Sequence, residues 1–273
     1  MKNQLAFSTL GCPAWSFEKI ISEAARMGFA AVEVRGVGKH LATDSLPCFL
    51  PGNEHTTRTL LDRYGVRLCV AGTSAAFHDP AQVDVALEEG RRAINVCRQM
   101  GIPAIRVFGD RLTEEREATI RSVISALTEL CVYAEKQGHV RVLLEIHGDF
   151  NTVDSVEPVL RQMEKHPSFG IIWDVEHSFR AYGENFFPLY ELIRPRLCHV
   201  HIKDCVMQGK EAVVRLPGQG AINLPHIIHQ LKKDGYDGWY SFEWEKRWHP
   251  DIEEPGIAFA QYVRCMQEWL ADE

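Results

Sequence analysis

Residues 140–148, VRVLLEIHG, show the feature that decides the fold: an apolar, strand-like run that closes on a charged side chain, here Glu145. The same feature recurs in FGIIWDVEHS (169–178), RLCHVHIKD (196–204) and WYSFEWEK (239–246), which end on Asp174, His201 and Glu243. Isolated buried carboxylates are costly unless they are paired or bind a cation. The four strand ends together therefore predict a shared divalent metal.

Short apolar runs alternate with longer amphipathic ones along the whole chain. Strands are predicted at about 5–10, 31–35, 67–71, 104–108, 140–146, 170–175, 197–203 and 239–244. Apolar residues recur at helical spacing at 17–25, 83–100, 120–134, 156–163, 224–231 and 257–270. This alternation over 273 residues predicts an α/β protein with a (β/α)₈ TIM-barrel fold, a single domain over residues 1–273.

The alternative fold is an open, doubly wound sheet. Such a sheet usually carries a glycine-rich first turn that binds a nucleotide, but residues 11–15 are GCPAW. In a barrel the active site lies at the C-terminal ends of the strands, where the four candidate ligands fall.

The composition limits the classes of partner. The net charge is −7, which argues against a nucleic-acid partner, because phosphate contacts need clustered Lys and Arg. No apolar stretch is long enough to cross a membrane, and the N-terminus lacks the features of a signal peptide. The 8 cysteines include no C-x-x-C pair, so we expect reduced core residues in a cytoplasmic protein.

The parity of the strands predicts where the candidate ligands point. Side chains two residues apart share a face of a strand, so Glu145 aligns with His147, and His201 aligns with His199 and Lys203. The opposite faces carry Val142, Leu144, Val200, Ile202 and Phe242, which suits contact with helices. The ligands should therefore point into the barrel.

Two Glu, one Asp and one His form a mixed oxygen and nitrogen set. It suits Mn²⁺, Mg²⁺, Co²⁺ or Zn²⁺, and the sequence does not choose among them. Taken singly, a Glu at a strand end is usually a surface or salt-bridged group, and a lone His in an apolar strand is usually a satisfied core residue. The succession of four favours the metal site.

Several motifs carry a family resemblance. They are Leu144-Glu145, Trp173–His177 (WDVEH), His199–Asp204 (HVHIKD), Pro217–Gly220 (PGQG) with Asn223, Gly235–Gly238 (GYDG) leading to Ser241-Phe242-Glu243, and Gly28–Val34 (GFAAVEV). Over essentially the whole chain, the sequence resembles the xylose isomerase-like TIM-barrel superfamily. That superfamily includes sugar phosphate isomerases and epimerases and endonuclease IV, an AP endonuclease of family 2 type.

The resemblance implies one divalent metal held by Glu145, Asp174, His201 and Glu243. It also implies that Glu145 and Glu243 act as the acid/base pair beside a ketone, through an enediolate that the metal stabilises.

Four further residues are substrate-binding candidates. His177 and Arg215 match substrate-contacting residues of the family, although the loop before Arg215 differs in length. Glu33 lies in the second-strand motif, and Trp15 is an aromatic near the end of the first strand that a sugar face can stack on.

Two positions depart from the family pattern. Asn223 replaces an Asp and is expected to cap a helix. His147, in Glu145-Ile146-His147, resembles the dehydratase branch that acts on 3-dehydroshikimate or inososes, in which a His or Lys removes the proton; here these catalytic groups would be His147 and Lys203. The alternative is that His147 only flanks the metal and that Lys203 forms a salt bridge with Asp204 or Glu176.

The sequence therefore predicts a metal-dependent isomerase or epimerase of a ketose or related polyol. A metal-dependent dehydratase of a cyclic hydroxy-ketone is the alternative, and a binding protein that has lost catalysis is a third reading. An AP endonuclease is disfavoured, because the early strand ends offer no extra histidines nearer than His78. The expected partner is a small sugar or polyol, without nucleic acid or membrane. Whether the chain forms a homo-oligomer is left open.

Overall fold

The structure is a computed structural model that describes residues 4–209 and 211–271. Its strands are β1 (Leu5–Ser8), β2 (Ala31–Val34), β3 (Arg67–Ala76), β4 (Ala104–Phe108), β5 (Arg141–Glu145), β6 (Phe169–Asp174), β7 (Leu197–Ile202), β8 (Asp204–Gln208), β9 (Glu211–Arg215) and β10 (Trp239–Phe242). Eight of them form a closed parallel barrel in the order β1-β10-β7-β6-β5-β4-β3-β2, while β8 and β9 form a separate antiparallel hairpin. The predicted TIM barrel is confirmed.

Helices connect the strands on the outside of the barrel. They are α1 (Phe17–Met27), α2 (Glu54–Tyr64), α3 (Val83–Met100), α4 (Arg116–Gln137), α5 (Val153–Met163), α6 (Val175–Tyr182), α7 (Phe187–Ile193), α8 (Leu224–Lys233) and α9 (Pro255–Ala271). Short 3₁₀ turns lie at Thr9–Gly11, Thr43–Ser45, Pro47–Phe49 and Arg194–Arg196. The local sequence sets these limits: α1 ends at Gly28 with φ 88°, and α8 begins after Asn223, whose side chain accepts from the His226 amide as predicted.

The strands bury different side chains on their two faces. The outward residues Val142, Leu144, Val200, Ile202 and Phe242 join the main core, where the helices pack against the barrel. Inside the barrel, a smaller apolar layer is formed by Val70, Ala104, Leu143 and Ile172. The parity predicted for β5, β7 and β10 is therefore confirmed.

Two features differ from the sequence-based expectation. The third strand continues to Ala76, beyond the predicted end at Ala71, and the β8–β9 hairpin was not predicted. Asp204 anchors the loop after the hairpin, because its carboxylate accepts from the backbone amides of Cys205, Gly218, Gly220 and Ile222. Asp204 is thus engaged by backbone groups, and the proposed Lys203–Asp204 salt bridge is not formed.

Two expectations from composition can be compared with the structure. All 8 cysteines are free. Among the described residues, no helix is both long enough and apolar enough to cross a membrane.

Candidate metal centre

Neighbouring strands deliver the four candidate ligands to one end of the barrel. Glu145 ends β5, and Asp174 ends β6. His201 is the second-to-last residue of β7, and Glu243 follows β10 directly. The register pairs Asp174 and Ser241 with His201. Asp174 also caps α6, because its Oδ1 accepts from the amides of Glu176 and His177 at 2.9 and 3.2 Å. This capping holds the Asp174 carboxylate in place, so that its other oxygen, Oδ2, faces the candidate metal site.

The four side chains converge closely enough to share one ion. One ligand atom from each lies within 4.8 Å of the others. Nδ1 of His201 is 3.0 Å from Glu145 Oε1, 3.4 Å from Glu243 Oε2 and 3.8 Å from Asp174 Oδ2. All four residues are buried. The prediction that these strand ends meet inside the barrel therefore agrees with the geometry.

The donor set also fits a divalent cation chemically. Three carboxylates and one imidazole offer hard oxygen ligands and one nitrogen, as Mn²⁺, Mg²⁺, Co²⁺ and Zn²⁺ accept. Glu145 Oε2 and Asp174 Oδ2 are buried oxygens that accept no hydrogen bond of good geometry, although a cationic side chain lies close to each of them. Buried carboxylate oxygens need a cationic partner, and a divalent ion would share these two oxygens with the flanking Lys203 and Arg106.

Two cationic side chains flank the carboxylates. Lys203 Nζ lies 2.9 Å from Asp174 Oδ2, 2.7 Å from Glu243 Oε2 and 3.1 Å from Glu245 Oε1. Arg106 Nη1 lies 3.1 Å from Glu145 Oε2 and 3.2 Å from Glu243 Oε1. Burial alone would raise the pKa of Glu145, but Arg106 and His201 outweigh it and lower that pKa to about 2.

Glu33 lies beneath His201, not at the open mouth. Its carboxylate is fully buried, 2.9 Å from His199 Nε2 and 3.0 Å from His201 Nε2, and it accepts from Ser241 Oγ. Burial would raise the pKa of Glu33, but His201 and His199 lower it well below its usual range. A His201 ring that donates Nε2–H to Glu33 presents Nδ1 to the carboxylates above. This position suits orientation of His201, and the substrate contact expected of Glu33 stays a prediction.

His147 and His177 lie side by side at the mouth. Their ring centroids are 4.1 Å apart, and His147 Nδ1 lies 3.3 Å from Asp110 Oδ1. Burial lowers the pKa of His177 to about 4, so that imidazole is neutral at physiological pH. Burial also acts to lower the pKa of His147, but Asp110 and Glu145 raise it overall.

Two predicted substrate-binding residues, Trp15 and Arg215, contact groups outside the candidate ligand set. Trp15 packs edge-on against Phe259 and lies under Lys19. Arg215, in the β8–β9 hairpin, donates to the carbonyl of Val214. These contacts do not test whether either residue binds a substrate, so both assignments stay predictions.

Sequence reasoning missed several residues of the mouth. They are Arg35, Arg106, Asp110 and Glu245, together with the Glu33 contact of His199. A usable signal existed for Arg106: it is the one charged residue in the run AIRVF, two positions before Phe108 and hence on the same face. Arg35 ends the predicted strand 31–35 on the same face as Glu33, so parity offered a signal there too, whereas Asp110 follows β4 in a loop, where parity gives no direction.

The family assignment follows from comparison with known proteins. The family model for the xylose isomerase-like TIM barrel matches residues 21–268, and the chain belongs to that family.

Three curated relatives cover much of the chain. The rhizopine catabolism protein MocC of Rhizobium meliloti is 26% identical and covers 84% of this chain and 74% of its own. An inosose dehydratase of Yersinia enterocolitica is 24% identical, with 88% of this chain and 85% of its own covered. An inosose isomerase of Halalkalibacterium halodurans is 28% identical over 57% of this chain and 55% of its own.

Solved structures share the architecture. The probable 3-DHS dehydratase AsbF of Bacillus anthracis superposes with a TM-score of 0.77 at 15% identity, covering 97% of this chain and 98% of that one. The IolI protein, solved with a zinc atom, has a TM-score of 0.77 at 17% identity and 98% coverage of both chains. At these identities the likeness establishes the fold.

Proposed function

We propose that this protein is a divalent-metal-dependent enzyme that removes the proton next to the ketone of a small polyhydroxy compound and returns it as an isomerase or epimerase. The observation that carries the proposal is the convergence of Glu145, Asp174, His201 and Glu243 within 4.8 Å. A cation bound there would supply a Lewis acid for the ketone and hydroxyl oxygens of the substrate. Zinc in the IolI structure supports this choice of cofactor class.

Glu145 and Glu243 are the proposed acid/base pair. They come from β5 and from the end of β10, and Arg106 Nη1 lies between their carboxylates. The pKa of Glu145 is held at about 2, whereas burial raises that of Glu243 above its usual range. The two carboxyl groups therefore differ in their affinity for a proton, an asymmetry that suits proton exchange at a carbon. Glu145 would take the proton and Glu243 would return one.

The remaining mouth residues would orient the substrate. His177 is neutral at physiological pH and can donate to or accept from a hydroxyl group. Trp248, 47% exposed, lines the same cavity as Glu145 and Glu243 and offers a face for stacking. The names of the relatives point to inososes, cyclic polyhydroxy ketones, as the first compounds to try.

Dehydration is the second candidate function. The observation that favours it is His147, which lines the cavity with Glu145 and lies against Asp110. An imidazole in this position is a base that an isomerase with two glutamates does not need. Lys203, the other candidate base, is bound by three carboxylates, which raise its pKa far above the usual range despite burial. It therefore suits charge stabilisation better than proton removal.

The experiment is proton exchange in D₂O with product identification. Protein loaded with Mn²⁺ is incubated with an inosose or with 3-dehydroshikimate and followed by NMR and ultraviolet absorbance. Metal-dependent deuterium uptake with an isomeric ketone as product supports isomerisation. Loss of water, seen as an unsaturated product or an aromatic acid, supports dehydration. Exchange that survives complete chelation would contradict both functions. Glu157→Gln, on the exposed face of α5, is the matched control for Glu145→Gln and Glu243→Gln.

A further inference from the structure

Arg35 is a buried cation beside the candidate site whose hydrogen-bond partners are neutral. It is 6% exposed, and its guanidinium donates to Ser74 Oγ at 2.8 Å and to the Leu41 carbonyl at 3.4 Å. Within residues 4–209 and 211–271, no ion pair includes Arg35. Glu89 and Glu243 act on Arg35 only at a distance, and Glu89 accepts a hydrogen bond from the Ser74 amide. Buried arginines are normally paired, so this one calls for an anionic partner.

A glycine brings Arg35 next to a second arginine. Gly72 of β3 pairs in register with Arg106 of β4, and Val34, just before Arg35, pairs with Ala71. A Cβ at Gly72 would lie 2.7 Å from Arg35 Cδ and 3.3 Å from Arg106 Nη2. The missing side chain therefore lets both guanidinium groups lie over the same stretch of β3.

The second arginine, Arg106, also has a hydrogen-bond donor that is not used. Arg106 Nη1 contacts Glu145 and Glu243, and Nη2 donates to the Thr73 carbonyl, but Nε is buried without a partner. Two like charges side by side are unfavourable, and burial together with Arg106 lowers the pKa of Arg35 to about 10. An anion between them would relieve both effects.

The two arginines open onto the same cavity as the candidate metal ligands. The cavity, of about 100 Å³, is lined by Arg35, Arg106, Phe108, Glu145, Glu243 and Trp248, among others. A ligand with its ketone at Glu145 and Glu243 would therefore extend along Arg106 toward Arg35. The small volume favours a planar carboxylate, which guanidinium groups bind through paired hydrogen bonds, over the larger phosphate ester.

We infer that Arg35 and Arg106 form a carboxylate subsite, so that the substrate is a polyhydroxy ketone bearing a carboxylic acid. This inference rests on the proposed function, which fixes where the ketone lies. It predicts selection of an acidic over a neutral cyclic polyol.

Binding without turnover tests the subsite. Calorimetric titrations compare quinate, a carboxylated cyclic polyol, with neutral myo-inositol and with myo-inositol 1-phosphate, each with and without Mn²⁺. The variants are Arg35→Gln, Arg35→Lys and, as a control, Arg67→Gln, which removes an exposed arginine at the opposite end of the barrel.

The wild type and Arg67→Gln should bind quinate at least about tenfold more tightly than myo-inositol, as expected for a charge-assisted contact. Arg35→Gln should lose that preference, and Arg35→Lys should keep part of it. Retained Mn²⁺ binding shows that each variant is folded. Equal binding of quinate and myo-inositol to the wild type, an unchanged preference in Arg35→Gln, or tighter binding of the phosphate would overturn the carboxylate subsite.

The same titrations separate this inference from the proposed function. A quinate preference that depends on Arg35 but is indifferent to Mn²⁺ supports the subsite and counts against the metal function. Quinate binding that requires Mn²⁺ but is unchanged in Arg35→Gln supports the metal function and counts against the subsite.

Discussion

The mouth of the barrel has two halves that handle charge differently. In the metal half, formed by Glu145, Asp174, His201 and Glu243, every charge has an opposite charge within about 4 Å. In the arginine half, Arg35 lies beside another cation and has neutral hydrogen-bond partners. The first half is arranged around a cation and the second around an anion. A substrate that spans both would be oriented by this difference.

Arg106 joins the halves. Its guanidinium lies against Gly72 on one side and contacts two candidate ligands on the other. It therefore balances carboxylates where a metal would also act, and it contributes to the proposed anion site. Substitutions that separate these roles are the sharpest ways to test the division.

The largest effect is expected in the metal half. Glu243→Gln removes a candidate ligand and a proton carrier together, so turnover should fall by about 10³- to 10⁴-fold. Steady-state rates on the substrate identified by the exchange assay measure this, with Glu157→Gln as the control. A variant that keeps a tenth of the wild-type rate would place the chemistry elsewhere.

Arg106→Met should destabilise the metal-free protein strongly. Removing the guanidinium leaves buried Glu145 and Glu243 without that partner, and breaking a buried ion pair costs about 3–4 kcal/mol. Urea unfolding with and without Mn²⁺ measures the free energy of unfolding. The loss should be smaller with Mn²⁺, because the ion offsets the same charges. An equal loss of unfolding free energy with and without Mn²⁺ would argue that Arg106 and the metal do not neutralise the same carboxylates.

Glu33→Gln should weaken metal binding without removing a ligand. Glu33 accepts a hydrogen bond from Nε2 of His201. Loss of such a contact to a metal-binding histidine lowers metal affinity by about 10- to 100-fold. Competition with a chromophoric chelator measures this affinity. Ser241→Ala removes another contact to Glu33 but leaves the histidine pair, so its effect should be smaller. Unchanged affinity in Glu33→Gln would make Glu33 a packing residue only.

The smallest effect concerns Glu176, whose carboxyl lies beside the metal half. Burial raises its pKa to about 7, from an ordinary value near 4.5. The folded state then holds the proton more tightly than the unfolded state, so this group costs stability as pH rises from about 4.5 to 7. Glu176→Gln should stabilise the metal-free protein by about 1–2 kcal/mol at pH 8 and have little effect near pH 4.5. Thermal unfolding at both pH values measures the difference, and a pH-independent effect would contradict the assignment.

Much of the fold could be predicted from sequence because its pattern is local. Apolar runs that end on Glu145, Asp174 and His201 give both the strands and their parity, and Gly28 marks the end of α1. The β8–β9 hairpin was missed because its half-exposed residues lack a buried strand's apolar pattern. Its position depends on Asp204, which binds amides up to 18 residues away.

The metal half was likewise predictable, whereas the meeting of Arg35 with Arg106 was not. Strand parity orients residues inside strands such as His201. Arg35 follows a strand end, and its long side chain reaches across Gly72 to meet Arg106 from another strand. Such a meeting depends on strand register and on space left by a glycine, which a one-dimensional pattern does not contain. The substrate contact that the family resemblance suggested for Arg215 stays a prediction.

Metal stoichiometry tests the central claim most directly. Purified wild-type protein and Asp174→Asn, which keeps an oxygen to cap α6, are saturated with Mn²⁺, desalted and assayed by elemental analysis. The account predicts about one ion per chain in the wild type and a large loss of bound ion in the variant, with circular dichroism showing that the variant is still folded. Equal metal content in both proteins, or none in the wild type, would contradict a metal centre at these four strand ends.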